Sequence, residues 1–134
     1  MKGIIIASHG PMAQGIVDTS KFFFGEQDQF QACCLDPDDT PASYLEKIKE
    51  AISHVDKGDG VIIFCDLRFG IPCDCLCRIM SEEKPPNDIH VLTGVDLAMV
   101  LQALNLRSYT DIDPEELVKI GNESIADLNK LIHV

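Results

Sequence analysis

The sequence predicts an α/β fold, a three-layer α/β/α sandwich built on a mostly parallel sheet. Short apolar runs such as Ile4–Ile6 and Val61–Cys65 suit strands that are buried on both faces. Segments with apolar residues at helical spacing alternate with these runs, which is typical of strands joined by crossover helices. No internal repeat or low-complexity tract divides the 134 residues, so we expect one domain that spans residues 1–134.

The first strand and the first helix flank a polar turn. The run Ile4–Ile6 is followed by His9 and then by a predicted helix, Pro11–Phe24, with proline at its first position and Gly25 at its end. We expect the aromatic run Phe22–Phe24 to add bulk to the core. His9 then lies between the carboxyl end of a strand and the start of a helix, where open α/β sheets bind their ligands.

The middle of the chain predicts two strands and one helix. Apolar and polar residues alternate in the strand Gln29–Leu35, which favours a position at the edge of the sheet. Thr40 caps the predicted helix Pro41–Val55, and Asp66 directly follows the apolar strand Val61–Cys65. The helix is apolar on one face, at Tyr44, Leu45, Ile48, Ala51, Ile52 and Val55.

The second half of the chain continues the alternation. We expect a helix at Pro72–Met80, a polar connector at Glu82–Asp88, a strand at Ile89–Thr93 and a helix at Val95–Leu104. The segment Ser108–Ile112 suits either a short fifth strand or irregular chain. The last predicted elements are a helical turn at Pro114–Lys119 and a helix at Asn122–His133 with Ile125, Leu128, Leu131 and Ile132 facing inward.

Charge and cysteine content restrict the function. The net charge of −11 argues against nucleic acid and anionic membrane as partners. No stretch has the length of a membrane span, and no signal peptide is visible, so we expect a cytoplasmic protein without direct membrane insertion. Six cysteines without a secretory context predict free thiols. Packing is favoured over a metal site for Cys73, Cys75 and Cys77, because a helix places only the first and last of them on one face.

Two polar residues follow two different strands at equivalent places. If the strands that precede His9 and Asp66 are neighbours, both side chains face one crevice. A carboxylate fixes the tautomer of a histidine and stabilises its charged form, which suits a histidine that carries a phosphoryl group. The glycine turns at Gly10 and Gly70 have backbone N–H groups to offer to phosphate oxygens. The alternative is an exposed, inert His9 beside an aspartate that caps a helix.

Three segments together resemble the mannose-type enzyme IIA proteins of the bacterial sugar phosphotransferase system. They are Ser8-His9-Gly10 with Ala13 and Gly15, Gly60–Leu67, and Val91–Met99. The resemblance implies a sheet of order 2-1-3-4 and a homodimer. It implies that His9 accepts a phosphoryl group from the phosphocarrier protein HPr and passes it to a IIB component, with Asp66 as its hydrogen-bond partner. Because donor and acceptor are both protein histidines in that family, no metal or other cofactor is expected.

The loop after Asp66 departs from the family pattern. The family reads Leu-Phe-Gly-Gly-Ser-Pro where this chain has Leu67–Pro72, so that Ile71 replaces a hydroxyl and Arg68 offers a cation instead. We therefore predict Gly10, Arg68 and Gly70 as phosphate-binding residues. Asp74 and Asp96 stand where the family often has asparagine.

Two other functions remain open. One is a regulatory or dimerisation relative of the same fold, in which the altered loop no longer supports phosphoryl transfer. The other is a thiol-based redox or metal protein that uses Cys73–Cys77. The sugar is not predicted, because its specificity lies mainly with membrane components.

Overall fold

A computed structural model describes residues 1–82 and 87–134 of the chain. Four parallel strands form one sheet in the order β2-β1-β3-β4. This confirms the predicted fold class and strand order, and β2 lies at an edge as its alternating pattern predicts. The strands are β1 (Gly3–His9), β2 (Phe30–Leu35), β3 (Val61–Cys65) and β4 (Ile89–Thr93).

Six helices flank the sheet in the described part of the chain. The bounds predicted for α2, β3 and β4 are those of the structure, and Pro11 is the residue before α1 rather than its first residue. Of the predicted connector, residues 83–86 lie outside the described residues. The helices are α1 (Met12–Phe24), α2 (Pro41–Val55), α3 (Ile71–Met80), α4 (Leu97–Leu106), α5 (Pro114–Ser124) and α6 (Leu128–Leu131).

The two faces of the central strands carry two separate cores. Ile5 and Ile63 pack against α2 and α3, while Ile4, Ile6 and Phe64 pack on the opposite face against α1, α4 and α5. The six apolar residues predicted for one face of α2 are all buried. A capping box at Thr40 fixes the start of that helix, since its hydroxyl accepts the Ser43 N–H at 3.1 Å.

The register of β1 and β3 places their carboxyl ends side by side. Ala7 lies opposite Cys65, and the backbone N–H of Asp66 donates to the Ala7 carbonyl at 3.0 Å. The residues that follow each strand therefore emerge at the same edge of the sheet. This brings His9 and Asp66, which are 57 positions apart, to one place.

The aromatic run at the end of α1 is not in the core, so this prediction was wrong. Phe22, Phe23 and Phe24 are 87%, 53% and 41% exposed. The buried stripe of α1 instead runs through Ala13, Val17 and Ser20. Consecutive helical residues point in directions about 100° apart, so three adjacent phenylalanines cannot share one buried face.

The C-terminal segment also differs from its prediction. The α5 helix extends to Ser124, and the single helix expected over Asn122–His133 is replaced by the end of α5 and the four-residue α6. Asp127 causes a new start, because its carboxylate accepts the N–H of Asn129 at 3.0 Å. The side chains expected to face inward are exposed, namely Ile125, Leu128, Leu131 and Ile132.

The segment Ser108–Ile112 is irregular, which is one of its two predicted forms. Arg107 precedes it at the end of α4 and is almost fully buried. Among the described residues, no helix is both long and apolar enough to cross a membrane.

Candidate functional site

His9 and Asp66 are in direct contact at the carboxyl end of the sheet, as their positions predict. The Nδ1 atom of His9 lies 2.8 Å from Oδ2 of Asp66. The backbone N–H of His9 donates to the same oxygen at 2.8 Å, and the Leu67 N–H donates to Oδ1 at 2.8 Å. Both oxygens of the carboxylate are therefore engaged, and the ring is held in one orientation.

The environment of Asp66 keeps its carboxyl group ionised. Burial is the largest single influence and acts to raise its pKa, since the side chain is only 8% exposed. The hydrogen bonds from the His9 backbone, the His9 ring and the Leu67 N–H together outweigh burial and lower the pKa below its usual value. An ionised carboxylate accepts a hydrogen bond from an Nδ1–H group, so that in the neutral ring Nε2 carries the free lone pair.

Gly70 lies against the ring of His9. A Cβ added at Gly70 would be 2.6 Å from Nε2 of His9 and 2.7 Å from Cε1, closer than real Cβ atoms approach. Its φ of +92° is also one that side-chain-bearing residues rarely adopt. Glycine is therefore required here for two reasons, and the lack of a side chain leaves space beside the nitrogen that Asp66 does not engage.

Ser8 is a residue of the site that the sequence analysis did not single out. It is fully buried, its Oγ accepts the N–H of Ala13 at 2.8 Å, and its O–H donates to the Gly10 carbonyl at 3.1 Å. Pro11 provides no side-chain cap for α1, so Ser8 satisfies one of the free N–H groups of that helix across the turn. The one signal in the sequence is a hydroxyl directly before the histidine.

The predicted phosphate-binding residues differ in whether their donor groups are already engaged in other hydrogen bonds. The N–H of Gly10 donates to the Leu35 carbonyl at 2.9 Å and is thus already engaged. By contrast, the N–H groups of residues 68–71 make no hydrogen bond to the residues that the structure describes. Arg68 is exposed and forms no ion pair with any described residue. The loop that precedes α3 therefore has unengaged donors and an exposed cation, and its Gly70 lies beside Nε2.

The two carboxylates that depart from the family pattern are used elsewhere or exposed. Asp96 caps α4, since Oδ1 accepts the Met99 N–H at 2.9 Å, and its Oδ2 accepts the Ser124 hydroxyl at 2.8 Å. Asp74 is exposed in the first turn of α3. Asp96 is thus held by α4 and α5 rather than by the residues around His9.

The cysteines are mainly packing residues. All six are free, and Cys73 and Cys75 lie in the core beside α2. Burial raises the pKa of Cys65 to about 12 and that of Cys33 to about 11, so these thiols stay protonated. Cys77 is exposed. No group of three metal-ligating side chains occurs among residues 1–82 and 87–134.

A large concavity in the structure does not coincide with the site chemistry. A concavity of about 890 Å³ lies along the open edge of β2, where its lining includes Gln31, Lys47 and His54 but neither His9 nor Asp66. Its cationic side chain Lys47 is already paired with Asp36 at 2.9 Å. We place the candidate site at the His9–Asp66 pair, because a ring nitrogen and an orienting carboxylate meet there.

Comparison with known proteins matches most of the chain to one family model. The family model described as the PTS system fructose IIA component matches residues 3–119. The mannose-specific EIIAB component of the PTS system in Escherichia coli K12 is 27% identical over 123 residues, which are 90% of this chain and 36% of that protein. The chain thus spans about a third of the length of this relative.

Two further matches are a transcriptional regulatory protein and a solved structure. The transcriptional regulatory protein LevR of Bacillus subtilis is 28% identical over 114 residues, which are 83% of this chain and 11% of that protein. The crystal structure of the PTS IIA protein associated with the fucose utilization operon of Streptococcus pneumoniae superposes with a TM-score of 0.86. That pair shares 24% sequence identity and covers 98% of this chain and 96% of the other, which shows a common fold.

Proposed function

The chain belongs to the mannose-type IIA family of the sugar phosphotransferase system, and from this membership we propose that His9 carries the phosphoryl group. The donor is the phosphocarrier protein HPr, and the acceptor is a IIB component. The observation that supports this most directly is the 2.8 Å contact between Nδ1 of His9 and the Asp66 carboxylate. It leaves Nε2 as the atom that accepts phosphorus.

The proposed transfer follows from the protonation state of the pair. Neutral His9 keeps a proton on Nδ1, shared with Asp66, and directs the Nε2 lone pair to the phosphorus of a donor phosphohistidine. The new N–P bond forms as the donor N–P bond breaks, and the donor imidazole leaves with its electron pair. His9 becomes a positively charged phosphorylated ring, which the Asp66 carboxylate stabilises. Transfer to the acceptor reverses these events.

The loop before α3 has the groups to stabilise the phosphoryl oxygens. The unengaged N–H groups of residues 68–71 supply donors, and the Arg68 guanidinium supplies charge. In this proposal the family's hydroxyl, replaced here by Ile71, is compensated by Arg68. Because both reacting groups are imidazoles, the proposed reaction needs no metal and no other cofactor.

We further propose that the protein acts in the cytoplasm as a homodimer and that residues 1–134 form one domain. The exposed apolar side chains at the C-terminal end support self-association, since contiguous exposed apolar surface is typical of interfaces. Ile125, Leu128 and Leu131 are 78%, 66% and 63% exposed. Sedimentation analysis of the protein and of Leu128→Asp tests the dimer. A monomeric wild-type protein at micromolar concentration would contradict it.

Labelling with radioactive phosphoenolpyruvate tests the phosphoryl transfer. With enzyme I and HPr present, we expect a base-stable and acid-labile label that mass spectrometry locates on His9. His9→Ala should carry no label, whereas His54→Ala, which changes an exposed histidine on α2, should be labelled like the wild type. A label that persists in folded His9→Ala would refute the assignment.

A regulatory role is the second candidate. The match to LevR and the altered loop at residues 68–71 both favour it. A folded protein that binds HPr but takes up no label would favour this role over phosphoryl transfer.

A further inference from the structure

Exposed apolar side chains flank His9 on both sides. Met12 is 46% exposed and begins α1 three residues after His9. Leu67 and Phe69 are 41% and 69% exposed in the loop that follows Asp66. Elsewhere at this edge the strands end in buried or partly buried residues, so these three side chains are a local apolar surface around the candidate site.

Backbone contacts tie the loop of Leu67 and Phe69 to the reactive ring. Leu67 directly follows Asp66 and donates its N–H to that carboxylate at 2.8 Å. Phe69 directly precedes Gly70, whose backbone lies against Nε2 of His9. The loop that carries Leu67 and Phe69 therefore borders the ring of His9.

Phe69 is exposed although burial of a phenylalanine is favourable. Removing a phenylalanine side chain from water stabilises a fold, yet Phe69 does not pack in either described core cluster. The family loop has a glycine at this position, so no requirement of the fold explains the ring. Exposure next to a reactive atom is instead what a docking contact needs.

We propose that Met12, Leu67 and Phe69 form the docking surface for the phosphoryl donor protein, with Phe69 as its main contact. This inference rests on the proposed function and names the surface through which the donor is selected. The donor is inferred to present an apolar surface around its own phosphohistidine. Because direct transfer joins two ring nitrogens through one phosphorus, the two protein surfaces must touch around His9.

Charge supports this choice of partner. The chain carries a net charge of −11, which opposes the approach of an anionic phosphoryl group, and neutral or basic residues at the contact reduce that repulsion locally. Met12, Leu67 and Phe69 are neutral, and Arg68 between the last two is cationic. The surface thus suits an apolar patch that surrounds an anionic phosphoryl group.

A matched pair of phenylalanines tests the proposal. Phe69→Ala removes the proposed contact, whereas Phe22→Ala removes an even more exposed ring, 87% accessible, at the far end of α1. Phe22 lies ten residues after Met12, or about 15 Å along the helix. Phe69→Leu keeps an apolar side chain at the proposed contact. Circular dichroism and thermal unfolding check that each variant is folded.

The measurements are the dissociation constant for unphosphorylated HPr and the KM and kcat of His9 labelling by phosphorylated HPr. Labelling by phosphoramidate, a small donor that needs no docking surface, is measured in parallel. For Phe69→Ala we expect about a tenfold weaker dissociation constant and a tenfold higher KM, with the ratio of HPr-dependent to phosphoramidate-dependent labelling reduced about tenfold. Phe69→Leu should recover most of this loss, and Phe22→Ala should match the wild type.

The outcomes separate the docking surface from the proposed function. A dissociation constant of Phe69→Ala within twofold of the wild type would overturn the docking surface while phosphoryl transfer stands. Binding that depends on Phe69, without any label on His9, would support the surface and refute the transfer. Absence of HPr binding to the wild-type protein would overturn the surface.

Discussion

The two ends of the sheet use similar contacts for opposite purposes. At the carboxyl ends of β1 and β3, the His9 ring is held through one nitrogen, and its side chain stays 40% exposed. At the amino ends, Arg107 is only 5% exposed and donates to the carbonyls of Lys2, Asp28 and Gln29. A buried group held by several hydrogen bonds stabilises the fold, whereas an exposed ring held at a single atom keeps another atom for chemistry.

The electrostatics of the two ends differ in the same way. Burial lowers the pKa of Arg107, and the negative charge of Asp28 opposes this shift only in part. A guanidinium nevertheless remains charged in proteins, and here its hydrogen bonds go to carbonyl oxygens. Asp66 instead places a full negative charge beside a ring that becomes positive in the proposed reaction. Variants at the two ends should therefore affect different measurements, and the size of each effect tests the comparison.

The largest expected effect is on phosphoryl transfer in Asp66→Asn. The asparagine retains the size of the side chain but removes the charge that stabilises the phosphorylated ring, so we expect the rate of His9 labelling to fall about a thousandfold. The free energy of unfolding should fall by only about 1–2 kcal/mol. Asp74→Asn, at an exposed carboxylate of α3, is the control and should be labelled normally. Normal labelling of Asp66→Asn would show that the Asp66 carboxylate is not needed to orient His9.

The acid dependence of stability tests the same carboxylate. Because the folded-state pKa of Asp66 lies below its unfolded value, its contribution to stability is present above that unfolded value, about 3.9. The contribution is lost as the pH falls through the lower folded pKa. Acid titration of wild type and Asp66→Asn by circular dichroism should therefore show a larger loss of stability for the wild type below about pH 4. Parallel curves would contradict this.

Next in size is the loss of stability in Arg107→Met. Methionine keeps much of the apolar stem but removes the donors to three carbonyls, which at about 1 kcal/mol each gives about 3 kcal/mol in urea unfolding. Labelling of the folded fraction should stay within about twofold of the wild type, since the change lies at the opposite end of the sheet. A specific loss of labelling would show that the two ends are coupled.

The sequence was sufficient where the signal is local. An apolar run of five residues predicts strand β3, and apolar residues at helical spacing predict helix α2. The predicted bounds of both elements are those of the structure. The contact between His9 and Asp66 was predictable because each directly follows an apolar strand. The strand order that makes these strands neighbours came from the resemblance rather than from the pattern.

Long-range packing explains what the sequence did not predict. The partners of Arg107 lie 78 to 105 positions away, so no local pattern indicates that it is buried. Phe22–Phe24 and Ile125 are apolar yet exposed, because burial depends on what other elements cover. Likewise, the approach of Gly70 to the His9 ring depends on the path of a loop, and only coordinates reveal it.

The smallest expected effect is that of Ser8→Ala, which tests how the turn that carries His9 is held at the carboxyl end of the sheet. Ser8→Ala removes the acceptor of the Ala13 N–H, and we expect a loss of about 1 kcal/mol in unfolding free energy together with a measurable shift of the His9 ring signals in NMR. Ser20→Ala is a matched control, since Ser20 is equally buried but bonds only the Ile16 carbonyl within its own helix. Such a bond competes with the helix backbone and contributes little. Ser8 thus positions the turn that carries His9, and equal effects of the two substitutions on the ring signals would show that it does not.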